Sequence, residues 1–167
     1  SLVRTGRLNR DGSIEKPDGE DDQGEYLKLI DRSETALGLD LVLYQSDVRQ
    51  VQVGKSALRS GLEALLRAAG SPRLDRVYLA GAFGGRLPQE SLTDLGFLPT
   101  SMPVEIRAIG NAAGEGARML LLNTDYRRRA SELAERVKVI ELLLEAGCED
   151  DLIKQTCLGE PEASGGN

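Results

Sequence analysis

The chain contains no histidine and no tryptophan, only two cysteines among its 167 residues, and few aromatic side chains. Without imidazole the usual general base near neutral pH is missing, so base catalysis would have to rest on carboxylates. The thiols of Cys148 and Cys157 cannot supply the four thiolates of a ferredoxin-type cluster, and zinc sites need Cys or His in closer pairs. Read with the reducing compartment expected here, they are free thiols rather than a disulfide. No apolar run approaches the ~20 residues of a membrane span and no secretory leader is read, so the expectation is a cytoplasmic chain with no membrane partner. The net charge of −6 argues against nucleic acid as a partner, because phosphate neutralisation needs clustered Lys and Arg.

What is present suits one soluble domain: 40% apolar residues over this length can bury a single core. Residues 1–14 read as a helix end followed by a β-turn at Asp11-Gly12-Ser13, between Leu8 and Ile14. Residues 15–25, with Asp18, Glu20, Asp21, Asp22 and Glu25 around Gly19 and Gly24, read as a mobile acidic loop without the rigid frame that a magnesium site needs. Residues 26–30 and 39–44 read as paired strands. Ser46 or Asp47 is expected to cap a long helix that Gly70 stops, with Val48, Val51, Leu58, Leu62, Leu65 and Leu66 as its core face. Further on, residues 124–134 read as a helix capped by Thr124 or Asp125, with Arg127, Arg128 and Arg129 on a solvated face. Residues 137–144 read as a strand, 149–155 as a short helix and 160–167 as a disordered tail.

Two stretches carry the functional signal. VYLAGAFGGRLPQESL (77–92) is a short buried strand running into Gly81, Ala82, Gly84 and Gly85, small residues that let a backbone or a flat ligand approach closely. AIGNAAGEGARMLLLN (108–123) is a strand end at Gly110, a cap at Asn111, and a helix whose first turns hold Ala113, Gly114 and Gly116. Strand, glycine turn and helix in succession is how α/β proteins hold nucleotides at the carboxyl ends of strands. A plain turn after a buried strand would leave the same pattern in the first stretch. In the second, glycines inside a helix cost on the order of 1 kcal/mol each relative to alanine, which close crossing by another helix or ordinary core packing could offset.

Four segments in order, DVRQVQVGKSALRSGLEALLRAAG (47–70), DRVYLAGAFGG (75–85), LGFLP (95–99) and IGNAAGEGARMLLL (109–122), resemble the carboxy-terminal domain of the reductive activators of corrinoid proteins. That domain belongs to the superfamily of actin, sugar kinases and heat-shock chaperone ATPases. The resemblance implies an α/β fold, a ribonuclease H-like lobe with a mixed sheet flanked by helices, belonging to a two-lobed domain. The lobe would span residues 1–147, with 148–167 as a tail. LAGAFGG then resembles the adenosine motif, with Gly81, Ala82, Phe83, Gly84 and Gly85 against the nucleoside. GNAAGEGA resembles the second connecting helix, with Gly110, Asn111, Ala113, Gly114 and Gly116 at the hinge.

By likeness to chaperones, Lys55, Ser56 and Arg59 on the preceding helix become candidates for the adenine side; an Arg59–Glu63 pair on a solvated helix face is the plainer alternative. The family more often carries Asn where Gly85 stands, and it usually has aromatic residues in its final segment, whereas this chain has no Phe after Phe97. No Asp-x-Gly-Thr phosphate hairpin is found, so the chain is expected to be a fragment of a larger protein.

The resemblance further implies ATP or ADP with magnesium, an iron–sulfur cluster in an upstream domain, a corrinoid protein as partner and a homodimer. The whole protein would use ATP to reduce cobalt(II) to cobalt(I). A sugar- or acid-kinase type of phosphotransferase lobe and a non-catalytic interaction domain remain as alternatives from other classes.

Overall fold

The computed structural model describes residues 2–84, 88–99, 105–141 and 148–159. The chain starts with a turn closed as a helix terminus closes. Gly6, at φ +68°, donates to Val3 O and Arg7 to Leu2 O, the paired bonds that satisfy the last carbonyls of a helix. Leu8 and Ile14 then form an antiparallel bridge. The turn expected between them is present, with Asp11 Oδ1 accepting from Ser13 N at 2.8 Å and Ser13 Oγ at 2.6 Å.

The stretch read as a mobile acidic loop is instead ordered. Strand β1 (Gly19–Asp21) pairs with β2 (Gly24–Ile30) across a two-residue turn, and β2 pairs with β3 (Leu41–Tyr44), all antiparallel. Carboxylates that looked merely solvated hold this hairpin together. Asp18 accepts the Lys28 backbone N–H at 2.8 Å and an Arg7 guanidinium at 2.6 Å, and Asp21 accepts the Tyr44 hydroxyl at 2.8 Å. Tyr26 and Tyr44 are direct cross-strand partners and meet edge to face, with ring centroids 5.8 Å apart.

The connection from β2 to β3 contains the group with the largest resolved acid shift. Asp31 accepts the Ser33 N–H at 3.0 Å and the Ser33 hydroxyl at 2.7 Å, which lowers its pKa to about 2. A carboxylate depressed in the folded state stabilises above its unfolded pKa, near 4, and loses that contribution as pH falls through the folded value. This turn should therefore persist at pH 4, weaken as the pH falls below that, and open only around pH 2. NMR of the Ser33 amide and the Asp31 carboxyl would show both titrating together near pH 2; a midpoint near 4 would contradict the geometry.

Helix α1 (Gln45–Ala68) starts earlier than the sequence suggests. Tyr44 is its N-cap residue, and Asp47, at the third helical position, accepts the Tyr44 N–H at 3.0 Å, so Asp47 closes the first turn from inside. The expected stop holds: Gly70 at φ +79° donates to Arg67 O, and Ser71 to Leu66 O.

The expected core face of α1 is only partly right. Val48 is buried, but Val51, Leu58 and Leu65 are 45%, 66% and 54% exposed, while Gln52, Lys55, Ser56, Arg59 and Ser60 are buried. The reason is what covers the helix. Segment 148–159, which includes α6 (Cys148–Lys154), lies along it and presents backbone carbonyls, for which polar donors are the complement. Beside this contact Leu8, Ile14, Leu27, Val48 and Leu158 form the apolar core, with Leu2, Val3, Leu43 and Leu95 packed around it.

The rest of the described chain holds strand β4 (Arg76–Ala80), the short helices α2 (Gly81–Gly84) and α3 (Gln89–Asp94), strand β5 (Glu105–Gly110), and helices α4 (Ala112–Leu122) and α5 (Thr124–Ala134). β4 and β5 are parallel, joined by a crossover through α2 and α3. The antiparallel and parallel pairings expected of one mixed sheet are thus divided, among the described residues, into a three-stranded and a two-stranded sheet.

Asn123 caps α5, accepting the Asp125 N–H at 2.8 Å, in place of the expected Thr124 or Asp125. Residues 137–141 form no strand, and the rest of that expected strand, like the expected disordered tail, lies outside the described residues.

Candidate functional site

β4 and β5 run side by side and end together, with Ala80 paired to Gly110 after a register shift. Each chain leaves its strand through a glycine in the left-handed region: Gly81 at φ +87° leads into α2, and Gly110 at φ +61° leads into α4. A Cβ at either position would meet nothing within 4 Å among the described residues, so the missing side chains leave open surface rather than relieve internal crowding. Ala82 is likewise exposed. Gly81 and Gly110 thus stand at two adjacent strand ends with exposed backbone, and Ala82 follows Gly81. α2 is a single turn and α4 spans 11 residues, so the helix dipole at this edge comes mainly from α4. Phe83 and Gly84 fall within α2, and Gly85 lies outside the described residues.

At the start of α4, Asn111 Oδ1 accepts the Gly114 N–H at 3.0 Å, as the sequence led us to expect for a cap. Its neighbours differ in what surrounds them. A Cβ on Gly114 would lie 2.5 Å from Asn111 Nδ2, whereas one on Gly116 would meet nothing within 4 Å. Ala113 is exposed on the same turn.

Lys55, Ser56 and Arg59 form a different constellation. The Lys55 side chain is fully buried, and Nζ donates to Cys157 O at 2.5 Å and to Gly159 O at 3.4 Å. Ser56 Oγ donates to Leu152 O, and Arg59 Nη1 to Gly96 O at 3.3 Å. Arg59 Nε also meets Glu63 at 2.7 Å, the four-residue pair read from the sequence, but with Arg59 only 6% exposed it is a buried contact rather than a solvated one.

Gln52 and Gln155 belong to the same network and were missed. Gln52 Nε2 donates to both Asp11 O and Thr156 O at 2.9 Å, and Gln155 Nε2 donates to Glu63 Oε1 at 3.1 Å. The signal was available as polar residues at positions 52, 55, 56, 59 and 63, one helical face. These bonds clasp the carboxy-terminal segment, and Leu158 N–H donating to Arg10 O and Gly159 N–H to Leu95 O complete it.

A cleft of about 450 Å³ lies between residues 3–10 and Asp94, Leu158 and Gly159, and the Arg4 guanidinium on its wall is paired with Asp94 at 2.6 Å. Among the described residues no group of three or more His, Cys, Asp or Glu side chains could hold a metal ion.

Comparison with known proteins agrees with the α/β fold. The model of the family described as the C-terminal domain of RACo, the ASKHA domain, matches residues 1–164. The corrinoid activation enzyme RamQ of Eubacterium limosum is 28% identical over 173 aligned residues, covering 95% of this chain and 29% of that protein. A solved structure of a reductive activator for corrinoid, iron-sulfur protein superposes with a TM-score of 0.86 at 25% identity, over 95% of this chain and 26% of that one. The chain thus spans less than a third of the length of either relative. With nearly its whole length matched and its α/β layers superposing on a solved relative, the chain belongs to the family of RACo carboxy-terminal ASKHA domains.

Proposed function

We propose that this chain is the nucleotide-binding lobe of an ATP-dependent reductive activator of corrinoid proteins. The observation that carries the reading is the pair of parallel strand ends at Gly81 and Gly110, open, side-chain-free and followed by helices. In a domain of this family, that surface suits the nucleoside of ATP, and Ala82 extends it. The relatives' names supply the corrinoid link. The bound nucleotide would supply binding or hydrolysis energy to an uphill reduction of cobalt(II) to cobalt(I), and this lobe would contribute the adenosine face and the moving helix α4.

The donor sets fit this division. Glycine and alanine at the strand ends fit a flat base or sugar, while the phosphate and magnesium ligands are expected from the rest of the protein. Two cysteines do not fit a four-thiolate cluster, so the iron–sulfur group is assigned outside this chain as well. Lys55 and Ser56 serve the nucleotide indirectly in this reading, because their donors hold the carboxy-terminal clasp, while Arg59 holds Gly96 O and Glu63 beside it. Gly116, open on α4, is the position at which a crossing helix from the other lobe would be felt.

Calorimetry and cobalt spectroscopy test this together. The full-length protein should bind ATP and, with its corrinoid partner and a reductant, form cobalt(I) only when ATP is present. The lobe alone lacks charge-assisted phosphate contacts, so its affinity should be no better than about millimolar and it should hydrolyse nothing. Micromolar binding by the lobe would mean that the phosphate site lies within it, and ATP-independent cobalt(I) formation would remove the proposed role.

A further inference from the structure

The two faces of the β4–β5 sheet differ in chemistry. Along β4 the residues alternate, and Val77 and Leu79 take the half-buried positions together with Ile106 of β5. Arg76 and Tyr78 belong to the opposite face, where the parallel register sets Arg76 beside Glu105 and Tyr78 beside Arg107. Parallel strands are normally apolar on both faces, because helices cover both. This face instead offers four polar side chains, each about half exposed.

Its charges do not balance. Glu105 holds Arg76 Nε at 2.9 Å through one carboxylate oxygen and Arg107 Nε at 2.7 Å through the other, and among the described residues no second carboxylate meets either guanidinium. The face therefore carries a surplus positive charge, on a chain whose net charge is −6. An apolar cover would strand that charge, since a buried guanidinium needs a partner. A surface bearing carboxylates is its complement. Arg76 meets Glu105 through Nε alone, which leaves terminal N–H groups for the forked pairing that guanidinium makes with an incoming acid. Tyr78, next to Arg76 along the same face, adds an aromatic body with a polar tip.

We propose that this face, Arg76, Tyr78 and Arg107 with Glu105 between the two arginines, is where the corrinoid partner docks, through carboxylates on that partner's surface. The proposal rests on the corrinoid reading above. An activator that serves many copies of its partner in turn needs a contact that forms and parts quickly, and small polar contacts steered by charge do so. The same strands end at Gly81 and Gly110, three residues or about 10 Å beyond Tyr78 and Arg107, so partner and nucleotide would bear on one rigid element.

The test uses the full-length protein with ATP over the immobilised corrinoid protein at low and at physiological salt, with ATP affinity and thermal stability read on the same samples. Arg76→Gln combined with Arg107→Gln should weaken partner binding about thirtyfold at low salt, mainly through slower association. Glu105→Gln should act in the opposite direction. It frees both guanidiniums, so binding should tighten about threefold even though the face loses its own ion pairs. Added salt should weaken wild-type binding more steeply than that of the double variant, and ATP affinity should stay at the wild-type value in every variant.

Wild-type partner binding by the double variant, or weaker binding by Glu105→Gln, would overturn the proposal while leaving the corrinoid reading in place. So would a loss of binding that follows lowered thermal stability, because the face would then be covered by the protein itself. A wild-type protein that neither binds the corrinoid protein nor forms cobalt(I) with it would bring down the corrinoid reading, and the docking surface with it.

Discussion

Leu158→Ala should destabilise the lobe by about 3 kcal/mol, and Lys55→Met should destabilise it by about 2 kcal/mol. Leu158 is 2% exposed and completes the cluster of Leu8, Ile14, Leu27 and Val48, so truncating it opens a cavity between segments that start and end the described chain. Lys55→Met keeps the length and bulk of the side chain while removing the ammonium. It leaves the Cys157 and Gly159 carbonyls without that donor in a buried place, and the cost is their desolvation rather than lost volume. Denaturant unfolding of each variant beside wild type measures both effects.

Lys55→Met also separates the two roles that Lys55 could play. A lysine kept for adenine would cost affinity when replaced and leave stability alone. A clasp lysine should cost stability first, and a fully folded Lys55→Met lobe of wild-type stability would remove the clasp.

The clasp is also where reading the sequence fell short. Periodicity picked out Val51, Leu58 and Leu65 as core because it counts apolar residues, and it cannot know that the covering partner is a run of carbonyls 102 residues away from Lys55. The same blindness made Asp18 and Asp21 look like a solvated loop. Their bonds to Lys28 N–H and the Tyr44 hydroxyl exist only once β1, β2 and β3 have paired.

Where the determinant is local, the sequence was sufficient. Asp11-Gly12-Ser13 announces its turn, Gly70 its helix stop, Tyr26 and Tyr44 their strands, and Asn111 its cap. The two strand ends belong to this class as well, since Gly81 follows the branched and aromatic run 77–79 and Gly110 the alternating run 105–109, although β4, read as buried, leaves Tyr78 53% exposed. That the two ends are neighbours is not local information; it comes from the parallel register of β4 and β5.

Gly81→Val in the full-length protein should weaken ATP binding by about a hundredfold, roughly 2.7 kcal/mol of binding free energy. Two effects act at this position, and they can be separated. Gly81 sits at φ +87°, where a β-branched residue is strained, and its absent Cβ leaves open the surface assigned to the nucleoside. Gly70 supplies the control, because it has φ +79°, also has nothing within 4 Å of a built Cβ, and ends α1 rather than β4.

Gly70→Val should therefore lower thermal stability about as much as Gly81→Val while ATP affinity stays at the wild-type value. Calorimetry well below the unfolding temperature of both variants makes the comparison. Equal losses of affinity would trace the effect to backbone strain transmitted through the lobe. Normal binding by Gly81→Val would mean that no ligand lies against that strand end, because two methyl groups on an open surface exclude whatever was to occupy it.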